Sequence, residues 1–170
     1  MRQSLDRFYE GLMVLAALAM AFTFVVVVLG ILDRQFALGL RGLDAYAGYG
    51  IASALFLAMP GTLQRGEHIR VTLLLQRLSP AWRNVLEWWC VLAGVALTWG
   101  LAYYSCHLVW VSHLTHDMSQ GADATPLWIP QIGMALGCIG LAVAFADAAV
   151  SRLQGRPFFR QPAGASAASE

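Results

Sequence analysis

Four histidines, three cysteines and ten acidic residues are the side chains of this sequence that could carry chemistry. Paired histidines from different helices ligate iron in membrane b-type cytochromes. Here only His107 falls inside an apolar stretch; His113 and His116 follow it, and His68 belongs to another segment. No second histidine shares its depth. His113 and His116 have the spacing of a helical metal pair, yet only Asp117 and Asp123 lie near them in sequence, which suits a polar loop better than a metal. Cys90, Cys106 and Cys138 lie in apolar stretches, without CxxC spacing or a loop partner, and read as small packing residues. Asp44, Glu87 and Asp147 stand at the edges of apolar stretches, with Glu87 one turn past Arg83. They read as boundary residues or inter-helix hydrogen-bond partners. No catalytic constellation, cofactor site or metal site emerges, so the chain is not expected to be an enzyme.

The elements that would position these residues follow from charge distribution. Of 170 residues, 58% are hydrophobic and 12% charged, about half the charge of a soluble domain, too little to cover a water-soluble fold. Four stretches, 11–32, 45–63, 88–111 and 128–150, are free of charge except for Asp147 near the end of the last. Each is long enough to cross a hydrocarbon core of about 30 Å. Spans in lipid must satisfy their own backbone hydrogen bonds, so all four should be helices. The expected fold is all-α, an integral membrane four-helix bundle over 1–160. The first stretch also resembles a signal peptide, but the run through Val25–Val28 outlasts an ordinary h-region and has no small-residue cleavage site after it. It reads as a retained span.

All eleven basic residues are arginines. With the N-terminus inside, Arg2, Arg7, Arg65, Arg70, Arg77, Arg83, Arg152, Arg156 and Arg160 fall on the cytoplasmic side, leaving Arg34 and Arg41 outside. Both termini are therefore expected in the cytoplasm. Trp82, Trp88 and Trp89 mark the inner end of the third span, and Tyr103, Tyr104, Trp110 and Trp128 are expected near the outer surface. Between the second and third spans, 67–79 should form a short amphipathic helix with Val71, Leu74, Leu75 and Leu78 on one stripe, closed by Pro80, the alternative being a simple cytoplasmic extension of the second helix. It should lie in the headgroup layer, with Arg70 and Arg77 contacting lipid phosphates. The small, polar residues 161–170 read as a disordered cytoplasmic tail.

Small residues line one face of the last span: Gly133, Gly137, Gly140, Ala144 and Ala148. Gly50, Ala54 and Ala58 repeat the pattern in the second. Such faces let helix backbones approach closely in lipid. The glycine face of the last span, with Ala144, is a candidate surface for a helix of another subunit.

Asp44 enters the second span after Gly42-Leu43, and Arg65-Gly66-Glu67-His68-Ile69-Arg70-Val71-Thr72 follows that span. Together with Thr125-Pro126-Leu127-Trp128-Ile129-Pro130-Gln131 at the start of the fourth, these segments resemble the small membrane subunit (DctQ-like) of the tripartite ATP-independent periplasmic, or TRAP, transporters. The likeness runs over about residues 5–150. Asp44, Arg65, Gly66, His68, Ile69, Val71, Trp128 and Pro130 match the family pattern and read as structural signatures. Leu43 stands where the family has an aromatic residue, and Thr72 where it has aspartate.

The resemblance implies a scaffold role in a bacterial inner membrane. The small subunit would brace a large multi-span permease subunit that takes up an organic acid with sodium, delivered by a periplasmic binding protein. Partners are then the permease, the binding protein and membrane lipids, with no nucleic acid. Other readings are the small four-span subunit of a tripartite tricarboxylate system, a membrane redox-complex anchor, and a stand-alone four-span structural protein.

Overall fold

The computed structural model describes residues 2–65 and 80–154. The expected interfacial helix with Arg70 and Arg77, the family-pattern residues Gly66, His68, Ile69 and Val71, and the tail lie outside them. Four helices account for the described chain: α1 (Arg2–Phe36), α2 (Leu43–Gln64), α3 (Pro80–Leu114) and α4 (Trp128–Leu153). The fold is all-α. The α1–α2 and α3–α4 connections share one end of the bundle, called here the loop end; residues 2, 65, 80 and 154 lie at the terminal end.

Local chemistry explains the boundaries. α1 passes without proline through its Val25–Val28 run and stops where Gly39 and Gly42 take φ of 77° and 80°, a left-handed turn that glycine adopts without strain. Gly42 caps α2, and a Cβ on it would lie 2.5 Å from the Asp123 Cβ, so this turn needs glycine for space as well as for conformation. α3 opens on Pro80, whose missing N–H costs nothing in a first turn.

α1 runs antiparallel to α2, α2 parallel to α4, and α4 antiparallel to α3, and each pair packs side by side. The bundle is open: the helices follow one another in the order α1, α2, α4, α3, and α1 also reaches α4 through Tyr9 and Leu12. Three helical segments, Gln3–Phe36, Asn84–Leu114 and Trp128–Leu153, are long and apolar enough to cross a membrane. Four had been expected on these grounds. α2 falls short because Tyr46, Tyr49, Pro60, Thr62 and three glycines dilute it. It nevertheless lies between α1 and α4, sheltered by both. Tyr103 and Tyr104 stand ten or more residues before the end of α3, about 15 Å from it along the helix.

Between α2 and α4 a helix glycine comes up against the backbone of the facing helix. A Cβ on Gly133 would lie 2.5 Å from the Ser53 Oγ, one on Gly140 would meet Pro60 at 2.8 Å and Leu12 at 2.6 Å, and one on Gly137 would strike the Phe56 carbonyl. Pro60 sits inside α2 and has no N–H to offer the carbonyl four residues back, which is that of Phe56. The Phe56 carbonyl occupies the place where a Cβ on residue 137 would be, so a side chain there would displace it. Ala144 continues the face and is fully buried among Tyr9, Leu63 and Leu141. This chain's own α2 and α1 therefore fill the face of Gly133, Gly137, Gly140 and Ala144. The expectation that it receives a helix of another subunit is corrected: the short side chains serve internal packing.

Gly137→Ala should force α2 and α4 apart and destabilise the purified protein by about 1–3 kcal/mol. Gly48→Ala, on a helical position with nothing within 4 Å of the new Cβ, should be neutral or stabilising by up to about 1 kcal/mol. Unfolding in mixed micelles compares the two. Equal stability of the Gly137 variant and the wild type would contradict the close approach.

Candidate functional site

Polar side chains gather at the two ends of the bundle. At the loop end, residues 117–127 fold back on themselves: the Ser119 N–H donates to the Thr125 carbonyl (2.8 Å) and the Leu127 N–H to the Asp117 carbonyl (3.0 Å). This loop docks on two tyrosines one turn apart near the start of α2. The Tyr49 hydroxyl lies 3.0 Å from Ser119 Oγ and 3.2 Å from Asp123 Oδ2. Ser119 donates to Asp123 Oδ1 (2.8 Å), and the Thr125 and Tyr46 hydroxyls lie 3.1 Å apart. Partial desolvation works to raise the Asp123 pKa, but hydrogen bonds from Ser119, Thr125, its own backbone and Tyr49 outweigh it and hold the carboxyl below its ordinary value.

At the terminal end, Arg152 of α4 donates to Glu87 Oε2 (2.7 Å) and Asn84 Oδ1 (3.0 Å) of α3, and its guanidinium lies 5.4 Å from the Trp88 ring centroid. Across the bundle, Gln64 of α2 donates to Asp6 of α1 at 2.6 Å. Between these layers, Ser105 of α3 and Cys138 of α4 make a polar contact across helices, 3.3 Å apart.

The residues singled out from the sequence fall at helix ends. Asp44, in the first turn of α2, makes an ion pair with Arg34 at 3.5 Å; both are largely exposed, and such pairs contribute little. Arg65 is an exposed residue at the C-cap of α2. Trp128 opens α4 and meets His113 edge-on with ring centroids 5.3 Å apart; Pro130 lies in the first turn, where no N–H partner is needed. The structure does not bring these residues together. Glu87 pairs with Arg152, a partner that the sequence reading did not propose. Tyr46, Tyr49, Ser119, Asp123 and Thr125 were also not foreseen as a group; their separations of 70 to 79 positions leave no local pattern to detect. Among the described residues, no three His, Cys, Asp or Glu side chains gather to hold a metal.

An all-α membrane protein with its polar contacts spent on joining helices is the class this geometry defines. Residues 23–155, more than half of the chain, match the family described as tripartite ATP-independent periplasmic transporters, DctQ component, and the chain belongs to that family. Comparison with curated proteins and with solved structures gave no match.

The docked loop should depend on pH. Because the folded-state pKa of Asp123 is lowered, its contribution is fully present above the unfolded carboxyl value, about 3.9, and is lost as pH falls through the folded value. Asp123→Asn should therefore lower the melting temperature at pH 6, and the gap to wild type should shrink below about pH 4. A gap that is independent of pH would exclude the carboxylate as its source.

Proposed function

We propose that this chain is a scaffold subunit that braces the large permease subunit of its transporter and takes no direct part in moving the substrate. The family makes it a component of a tripartite transporter. The observation that carries the scaffold reading is the placement of polar groups: the described inter-helix ion pairs and charged hydrogen bonds lie at the two ends of the bundle, whereas its middle is joined by glycine contacts and the Ser105–Cys138 pair. Transporters bind ions and substrates near the midplane, with polar side chains or broken helices. A packed, weakly polar interior suits a brace. In this reading the permease carries an organic acid inward with sodium, a periplasmic binding protein delivers it, and the chain sits in a bacterial inner membrane.

Purified chain in liposomes should take up no organic acid under a sodium gradient, while the same liposomes with the large subunit and binding protein should. Sodium-dependent uptake by the chain alone would refute the scaffold role. Both termini are placed in the cytoplasm by the arginine distribution, so reporter fusions after Gln120 should read periplasmic and those after Gln154 cytoplasmic. The opposite result at either site would overturn the orientation.

A further inference from the structure

The four charge-free stretches do not lie level with one another. Thr23 faces Gly50 and Met13 faces Gly61; Ser53 faces Gly133 and Pro60 faces Gly140; Phe145 faces Gly94 and Cys138 faces Ser105. These contacts recur along each helix pair with a nearly constant register, so any residue can be carried across the row. The middle of the α1 stretch, 11–32, falls level with about residue 108 of α3, and those of α2 and α4 level with about residues 107 and 102. The stretch of α3 itself, 88–111, is centred at about residue 100. The apolar centres thus step in one direction along the order α1, α2, α4, α3, by about 13 Å in all at 1.5 Å per residue.

The exposed side chains tell the same story at both ends. Phe24, Val25 and Ile31 of α1 are 53–70% exposed, yet this part of α1 lies level with the polar loop: Gly30 is beside Leu43, and the neighbouring Gly42 abuts Asp123. Diagonally opposite, Val85, Trp89 and Leu92 of α3 are 57–64% exposed, level with or beyond the first residues of α1. An apolar slab about 30 Å thick set perpendicular to the helices cannot cover both corners.

We propose that the helix row sits oblique to the bilayer, inclined by about 23–28° within the plane of the row, so that the loop-end half of α1 and the terminal-end half of α3 both lie among lipid acyl chains. The angle is that of about 13 Å of stagger over three helix spacings of about 8–10 Å. It lies within the range of tilts that membrane helices adopt. The inference rests on register and exposure and is independent of the transport role. For a brace it has one consequence: a partner helix upright in the membrane crosses the row and meets more than one helix of it.

Two pairs of positions separate an oblique row from an upright one. Val25 and His113 lie nearly level along the bundle, as do Ser4 and Leu92. Nitroxide labels on single cysteines at these positions, in full-length protein with Cys90, Cys106 and Cys138 replaced by alanine, report depth in liposomes from collisions with oxygen and a polar nickel chelate. Val25 and Leu92 should favour oxygen, and His113 and Ser4 nickel. The two members of either pair reporting the same phase would overturn the proposal. Polarised infrared spectra of the unmodified protein in oriented bilayers supply a second reading without mutation. A mean helix tilt of about 23–28° is expected, and helices along the membrane normal would contradict it.

Discussion

The approach of α4 to α2 at Gly137 is the contact on which the other helices depend. Pro60 removes the donor that the Phe56 carbonyl would have had, and a glycine on the facing helix leaves room for that carbonyl to protrude. Hydrophobicity cannot drive this association, because lipid tails are as apolar as leucine; close packing and the polar contacts at the ends must supply it. Once α2 and α4 are joined, Leu12 of α1 can reach Gly140 and Pro60, and Tyr9 can pack with Ala144. α3 then lies along the remaining side of α4, where the Phe145 ring seats against Gly94. The order of the row follows from which helix carries small residues on which face.

Polar bonds at the two ends hold this packing in register. Tyr46 and Tyr49 tie the α3–α4 loop to the start of α2, and Arg152 ties the end of α4 to α3. Each group lies near the edge of an apolar stretch, where water is close and a charge costs far less than at mid-depth. The sheltered position of α2 has the same origin. Flanked by α1 and α4, it can carry glycines, tyrosines and a proline that would weaken a helix surrounded by lipid, and it alone of the four lacks a stretch apolar enough to stand as a span by itself.

Much of the architecture was legible in the sequence, because charge-free runs of membrane length are local signals. The glycine face of α4 was also legible as a close-packing face. Its partner was not: small residues at steps of three and four show that a backbone approaches, and both a helix of the same chain and one from another subunit meet that condition. The clue lay in α2, where Pro60 exposes a carbonyl that only a very small facing residue can accommodate. Arg152 and Glu87, and Tyr49 and Asp123, were hidden for a different reason. They are 65 and 74 positions apart, and only the register of the packed helices brings them together.

The central claim is that the small-residue face of α4 is closed by α2 of the same chain, leaving other surfaces for the rest of the transporter. It can be tested directly in native membranes with the large subunit present. In a background without native cysteines, Ser53→Cys combined with Gly133→Cys should form an intrachain disulfide on mild oxidation, seen as faster migration on a non-reducing gel. If the pair stays reduced while Gly133→Cys cross-links to a cysteine on the large subunit, α4 faces outward and the account fails at its foundation.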